Sequence, residues 1–203
     1  MRGKHRYTAA DLGGMSVERG ARIELLDGEL HIYRPVAEME HQAAAQEVAM
    51  ALFKWSNDNR MGRTVPAPGV IFGPYDEVAP DTMWISRERF MGALNENGHL
   101  TVAPELMVEV VSPDAADQRR VRDLKMKLYS EQGVLEYWVI DWQQRSVGVF
   151  RRAGHALTLT MRLGDGDAIS SPMLPGFTLA VDELWDSLWA RTRLTRKSTN
   201  SGE

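Results

Sequence analysis

In the run Leu106-Met107-Val108-Glu109-Val110-Val111, Glu109 is the only charged residue. A stretch this apolar, stopped by Ser112-Pro113, is the pattern of a central strand buried on both faces. Alternation of side chains then puts Glu109 on the face it shares with Met107 and Val111. A carboxylate removed from water without a partner is strongly unfavourable, so this one must be neutralised, ion-paired or bound to a metal. An exposed strand edge or an ion pair satisfies it as well as a metal does. Asp81 follows Pro80 and opens the short apolar piece Thr82-Met83-Trp84-Ile85, which puts it at a strand start beside a turn; a lone Pro-Asp is also common turn chemistry. Lys125 falls among Val121, Leu124, Leu128 and Tyr129 on a helical pattern, whereas Lys127 points about 200° away from it. A lysine inside an inward stripe either snorkels to the edge or meets an anion. Together the three residues point further than any one of them. Two hard oxygen ligands on adjacent strands can hold Mg²⁺ or Mn²⁺, and a nearby ammonium can lower the pKa of an attacking water or stabilise charge building on a phosphate. That is the minimum equipment for metal-assisted phosphodiester hydrolysis.

The elements that must position these residues follow from local patterns. Asp27-Gly28 between Arg22 to Leu26 and Glu29 to Tyr33 is a strong hairpin signal, because a type I′ turn needs φ > 0 at both central positions. Glu38 to about Asn57 is free of Gly and Pro and carries His41, Ala45, Val48, Leu52 and Trp55 at helical spacing, which predicts a helix with one buried stripe and His41 near its start. Short β-rich pieces follow at Thr64-Val65, Gly69 to Phe72 and Thr82 to Ile85, punctuated by prolines and glycines. Asp114 to Gln132 reads as a second helix, with Gly133 as the residue that ends it. Glu136 to Asp141 is another central strand, a hairpin runs through Val147 to Arg151 and Leu157 to Arg162, and Asp182 to Ala190 predicts a closing amphipathic helix. The expected fold is α/β, a central mixed sheet flanked by helices with hairpins at both ends. One domain over residues 21–190 is expected, preceded by an extension at 1–20 and followed by a disordered basic tail at 191–203.

Composition sets the outer limits. The chain has 203 residues, 24 Lys and Arg against 28 Asp and Glu, and a formal net charge of −4. It has no cysteine, which removes disulfide scaffolds, thiolate metal sites and thiol catalysis. No stretch approaches the roughly 20 apolar residues of a membrane span, and the first residues lack an apolar signal region, so a cytoplasmic protein is expected. Net acidity argues against coating nucleic acid through bulk charge, yet leaves room for basic patches such as Arg119, Arg120, Arg122, Lys125 and Lys127.

The order of these motifs resembles the PD-(D/E)XK nuclease superfamily and, within it, the restriction-endonuclease group commonly called the Uma-two family. The resemblance runs through Glu24-Leu25-Leu26-Asp27-Gly28-Glu29, His41 and Pro80-Asp81. It continues through Pro104 to Pro113, Lys125 with Tyr129, Gly133-Val134, and Glu136-Tyr137-Trp138-Val139-Ile140-Asp141, to Ser171-Pro172-Met173-Leu174-Pro175-Gly176. It covers about residues 20 to 190. The resemblance implies a restriction-endonuclease-like core, with Asp81 and Glu109 as metal ligands, the Val110 carbonyl as a further ligand, and Mg²⁺ or Mn²⁺ as cofactor. The superfamily's lysine two residues after the second acid is absent, because Val111 stands there, and Lys125 is the matching position on the following helix. His41 and Glu29 match recurring positions, with a core histidine and ordinary hairpin polarity the competing readings, and Tyr129, one turn from Lys125, is within reach of a hydrogen bond near the site, with core packing the competing reading. The implied substrate is DNA, and a homodimer suits two cuts on a duplex. A non-cleaving nucleic-acid-binding or assembly module that keeps the fold is the alternative.

Overall fold

The computed structural model describes residues 5–19, 21–34 and 38–186. After a single helical turn, α1 (Ala9–Leu12), the chain forms β1 (Arg22–Leu26) and β2 (Glu29–Tyr33). Asp27 and Gly28 both take left-handed backbone, with φ of 52° and 75°, so the strands pair directly from Leu26↔Glu29 to Arg22↔Tyr33. The next helix, α2 (Met39–Asn59), runs two residues past its expected end and stops where Arg60 turns left-handed at φ 56°. Its buried stripe is His41, Ala44, Val48, Leu52, Trp55 and Ser56. Four short strands follow: β3 (Gly62–Pro66), β4 (Val70–Gly73), β5 (Asp76–Val78) and β6 (Thr82–Ser86), then a turn of helix, α3 (Arg87–Phe90).

The central strand is β7 (Leu106–Val111), buried at all six positions. The chain then enters α4 (Ala115–Arg119), whose first turn is capped by Asp114 accepting from the Asp117 N–H at 3.0 Å. Where a single α-helix was expected, Arg120–Lys125 forms a π-helical turn before α5 (Met126–Glu131) resumes. Gly133 lies just past the end with φ 85°, as a helix-ending glycine should. The rest of the chain is β8 (Glu136–Asp141), the long hairpin β9 (Ser146–Ala153) and β10 (Ala156–Leu163), and the two-residue strands β11 (Ala168–Ile169) and β12 (Leu179–Ala180). The closing helix is described only as far as Asp186, so the rest of that segment and the basic tail lie outside the described residues.

Six strands make the main sheet, in the order β10-β9-β8-β7-β6-β3, with β7 and β8 parallel and the other pairs antiparallel. This is the mixed sheet the sequence predicts. One face packs Leu106, Val108, Val110, Trp138 and Ile140 against Ala44, Val48 and Leu52 of α2 and against the C-terminal residues Ile169, Leu174, Phe177 and Leu184. The other face carries Met107, Val111, Tyr137 and Val139 against Val121, Leu128 and Tyr129. The N-terminal hairpin is more than a decoration. It belongs to a four-stranded sheet, β2-β1-β5-β4, whose Leu26, Val70 and Val78 join that second core.

Candidate active site

Asp81 precedes β6 by one residue, at the place where the main sheet comes apart. The β6–β7 ladder runs from Trp84↔Leu106 to Thr82↔Val108 and ends there. One step beyond, Asp81 and Glu109 stand on either side of the opening. The Val110 N–H donates to Asp81 Oδ2 at 2.8 Å in place of a ladder bond, and the Asp81 carbonyl accepts from Ala67 N at 3.0 Å. The first contact fixes the carboxylate against β7, and the second fixes its backbone against the segment that follows β3.

Glu109 lies on the face expected for it, and Lys125 reaches it. Glu109 Oε1 accepts from Lys125 Nζ at 2.7 Å and from the Tyr129 hydroxyl at 3.0 Å. The same Lys125 Nζ lies 2.7 Å from Glu24 Oε1 on β1, and that oxygen also accepts from Ala79 N at 2.9 Å. Arg120 completes the cluster: its Nε is 3.2 Å from Glu24 Oε2, it is ion-paired with Asp117, and its guanidinium covers the Tyr33 ring at 3.7 Å. Asp117 in turn accepts from the Ser112 N–H at 2.7 Å. Lys125 is wholly buried behind Glu109, so it acts on the carboxylate and has no surface of its own in the cleft. The lysine therefore neither snorkels nor reaches solvent; it meets two anions.

His41 Nε2 stands 3.7 Å from Asp81 Oδ1, while its Nδ1 is buried without a hydrogen-bond partner. The sequence-marked residues thus converge: Asp81, Glu109, Val110 and His41 line a cleft of about 940 Å³, and Lys125 and Tyr129 support Glu109 from behind. The wall opposite α2 is β2, which supplies Ile32 and Tyr33.

Electrostatics follow from this crowding. Four carboxylates, Glu24, Asp81, Glu109 and Asp117, gather around two fixed cations. Burial first, and then the Asp81 and Glu24 charges, push the Glu109 carboxyl up to about 8 against the pull of Lys125. Burial alone pulls Lys125 down, yet Glu109 and Glu24 outweigh it and hold the ammonium above its ordinary value. Burial works to raise Asp81, but His41 and the Val110 N–H outweigh it and leave the carboxyl below its usual range. Burial and the Glu109 charge place the Tyr129 hydroxyl well above its ordinary value, so it stays a donor.

A family model described as "Putative restriction endonuclease" matches residues 9–182. The chain belongs to the Uma2 family. Its fold matches the crystal structure of a putative nuclease belonging to DUF820 from Anabaena variabilis ATCC 29413, with a TM-score of 0.72 at 19% identity, covering 89% of this chain and 98% of the other. A slighter likeness, TM-score 0.39 at 14% identity over 80% of this chain and 17% of the other, is to the type IIG restriction endonuclease BpuSI and bears no weight. No curated protein matches the chain. The Uma2 membership and the matching fold agree with the mixed sheet and with a nuclease at the coarse level.

The donor set suits a hard divalent cation. Among the described residues no group of three or more His, Cys, Asp or Glu side chains is arranged to hold a metal; the acidic side chains lining the cleft are Asp81, Glu109, Asp114 and Asp117. Oxygen donors of this kind suit hard divalent cations, some of which bind through only one or two carboxylates and keep several waters. The excess of carboxylates over fixed cations also leaves charge for it to neutralise.

Two members of the cluster escape a reading of the sequence. Glu24 sits in the alternating run Arg22-Ile23-Glu24-Leu25-Leu26, where a strand pattern assigns it to solvent, yet it is fully buried. Arg120 reads as one of a basic patch, whereas it and Lys125 share the Glu24 carboxylate. The only sequence signal for Glu24 is its place in the family-like block that ends at Glu29.

Proposed function

We propose that this Uma2 protein is a divalent-metal-dependent endonuclease that hydrolyses phosphodiester bonds of DNA in the cleft floored by Asp81 and Glu109. The observation that carries this reading is the convergence of the two carboxylates where β6 and β7 part, with the Lys125 ammonium 2.7 Å from Glu109. When bound, Mg²⁺ or Mn²⁺ supplies a Lewis acid and the positive charge that draws a phosphodiester into an acidic floor. Asp81 and Glu109 would hold it, with the Val110 carbonyl beside them. Lys125 and Tyr129 fix the Glu109 carboxylate and leave Oε2 for the cleft. His41 lines the same cleft, with its Nε2 facing Asp81 Oδ1 at 3.7 Å, and would orient that carboxylate. The enzyme acts in the cytoplasm, as a homodimer that presents two such clefts to a duplex.

The test is incubation of purified protein with supercoiled plasmid and Mn²⁺, expecting nicked and linear products. Asp81→Asn and Glu109→Gln, which keep side-chain size, should each lower the rate by about 10²-fold or more while leaving the fold intact, a loss at least as large as outer-sphere changes cause at metal sites. Equal cleavage by both variants would sink the proposal. A second reading is favoured by the ion pair that already satisfies Glu109 Oε1: a DNA-binding or assembly module that keeps the fold without cleaving. Calorimetric titration separates the two, since that reading requires DNA binding without divalent-ion binding.

A further inference from the structure

The floor of the cleft is acidic, so a polyanion that enters it needs cations beyond that floor. The basic run expected to help, Arg119 to Lys127, is largely neutralised: Arg120 and Lys125 are paired with Glu24, Arg122 with Asp141, and Lys127 with Glu131. Arg89, Arg145 and Arg151 are likewise paired with carboxylates.

Three arginines on one patch are different. Arg60 at the end of α2, Arg63 on β3 and Arg87 at the start of α3 are all exposed, and none has an ion pair among the described residues. They line a second cleft of about 580 Å³, together with Phe53, Phe90 and Met91, and no carboxylate lines it. Asp58 and Glu88 are neighbours in sequence but stay outside that lining. The Arg63 guanidinium lies over the Phe90 ring at 5.3 Å, a contact that restrains it on this patch. Phe53 and Thr64 line both clefts, so the arginine patch continues the wall of the acidic one. Exposed apolar groups interleave with the charge, Phe53 at 56% and Met91 at 75% exposed.

We infer that this second cleft binds the phosphodiester backbone of the DNA flanking the cut, with Arg60, Arg63 and Arg87 each facing a phosphate. The placement of the DNA rests on the nuclease reading above; the patch itself rests on its unpaired guanidinium groups, which are suited to phosphate. Continuity of the two clefts means that a duplex whose backbone enters the acidic floor must cross Phe53 next. Arginines at that exit supply the attraction that a chain of net charge −4 otherwise lacks.

The experiment is fluorescence anisotropy of a labelled mixed-sequence duplex, long enough to span both clefts, titrated with the full-length protein in Ca²⁺ across a series of salt concentrations. Arg63→Gln/Arg87→Gln should weaken binding by about tenfold or more near 0.1 M salt and reduce the slope of log K against log salt by about two, one for each phosphate no longer neutralised. Arg63→Lys/Arg87→Lys, which keeps the charge, should retain the slope. Arg162→Gln removes an exposed arginine from β10, the opposite edge of the main sheet, and should leave slope and affinity unchanged. An unchanged slope in the double Gln variant, or no duplex binding by the native protein, overturns the inference. Plasmid cleavage with Mn²⁺, run in parallel, keeps the two readings apart. Cleavage with an unchanged slope rejects the arginine track alone, and a lowered slope without any cleavage rejects the nuclease reading alone.

Discussion

Lys125 stands between two buried carboxylates at the same distance, 2.7 Å from Glu24 and from Glu109. Lys125→Met leaves the two buried carboxyl groups facing one another with no ammonium between them, a change that costs about 3–5 kcal/mol. Urea denaturation should show it, and adding Glu24→Gln should recover a large part, because the pair of changes removes a repulsion that the single one creates. Glu109 brings a pH dependence with a definite sign. Its carboxyl is pushed up to about 8 from 4.5, so the folded protein holds that proton more tightly than the unfolded chain does. The stabilisation is complete below 4.5 and is lost as pH rises through about 8. In the absence of divalent ions, the melting temperature should fall by several degrees between about pH 6 and pH 9, and Glu109→Gln should flatten that fall. Glu109 is legible in the sequence because one charge in six apolar residues breaks a pattern. Glu24 is not, because a charge in an alternating strand obeys one, and only the burial of that face by Lys125 and Arg120 gives it away.

Helices and strands carry the same lesson in a different form. In a regular α-helix Arg120 and Lys125, five residues apart, point about 140° from one another at 100° per residue. A π-helical turn takes its hydrogen bonds i→i+5, so it advances less than an α-helix per residue and narrows that angle, and both cations reach the one Glu24 carboxylate. The Tyr137 hydroxyl donates to the Val121 carbonyl within this turn at 3.1 Å. Periodicity assumes a constant pitch, so it finds Lys125 inward and loses Arg120. Strand β5 escapes the sequence for another reason: Asp76-Glu77-Val78 is three residues long and mostly polar, and only its pairing with β1 and β4 makes it a strand. The long apolar runs of β7 and β8 and the Asp27-Gly28 hairpin are legible because each is decided by local chemistry. On β3, Gly62 packs so tightly that a Cβ would come within 2.3 Å of the Ile85 carbonyl and 2.6 Å of the Trp84 ring. Gly62→Ala should therefore push β3 off β6, lowering stability by about 1–3 kcal/mol as overpacking does. Through Ala67 and Asp81 it should also slow plasmid cleavage, although residue 62 lies outside the acidic cleft.

At the scale of the whole molecule, the site is assembled from parts that no single sheet contains. Glu24 comes from the four-stranded sheet, Asp81 and Glu109 from the parting strands of the six-stranded one, and Lys125 from the helical segment between β7 and β8. The mixed topology is readable in outline from the alternation of runs, while the second sheet is not, since it joins a hairpin to strands some fifty residues away. The ion cluster is thus also the strut between the two sheets. A molecule braced in this way has no cheap partial opening: the hairpin cannot lift without parting the Glu24 carboxylate from both Lys125 and Arg120. In hydrogen exchange, the amides of β1 and β7 should then open in one cooperative step in the native protein. With Lys125→Met the hairpin should exchange ahead of β7, turning one folding unit into two.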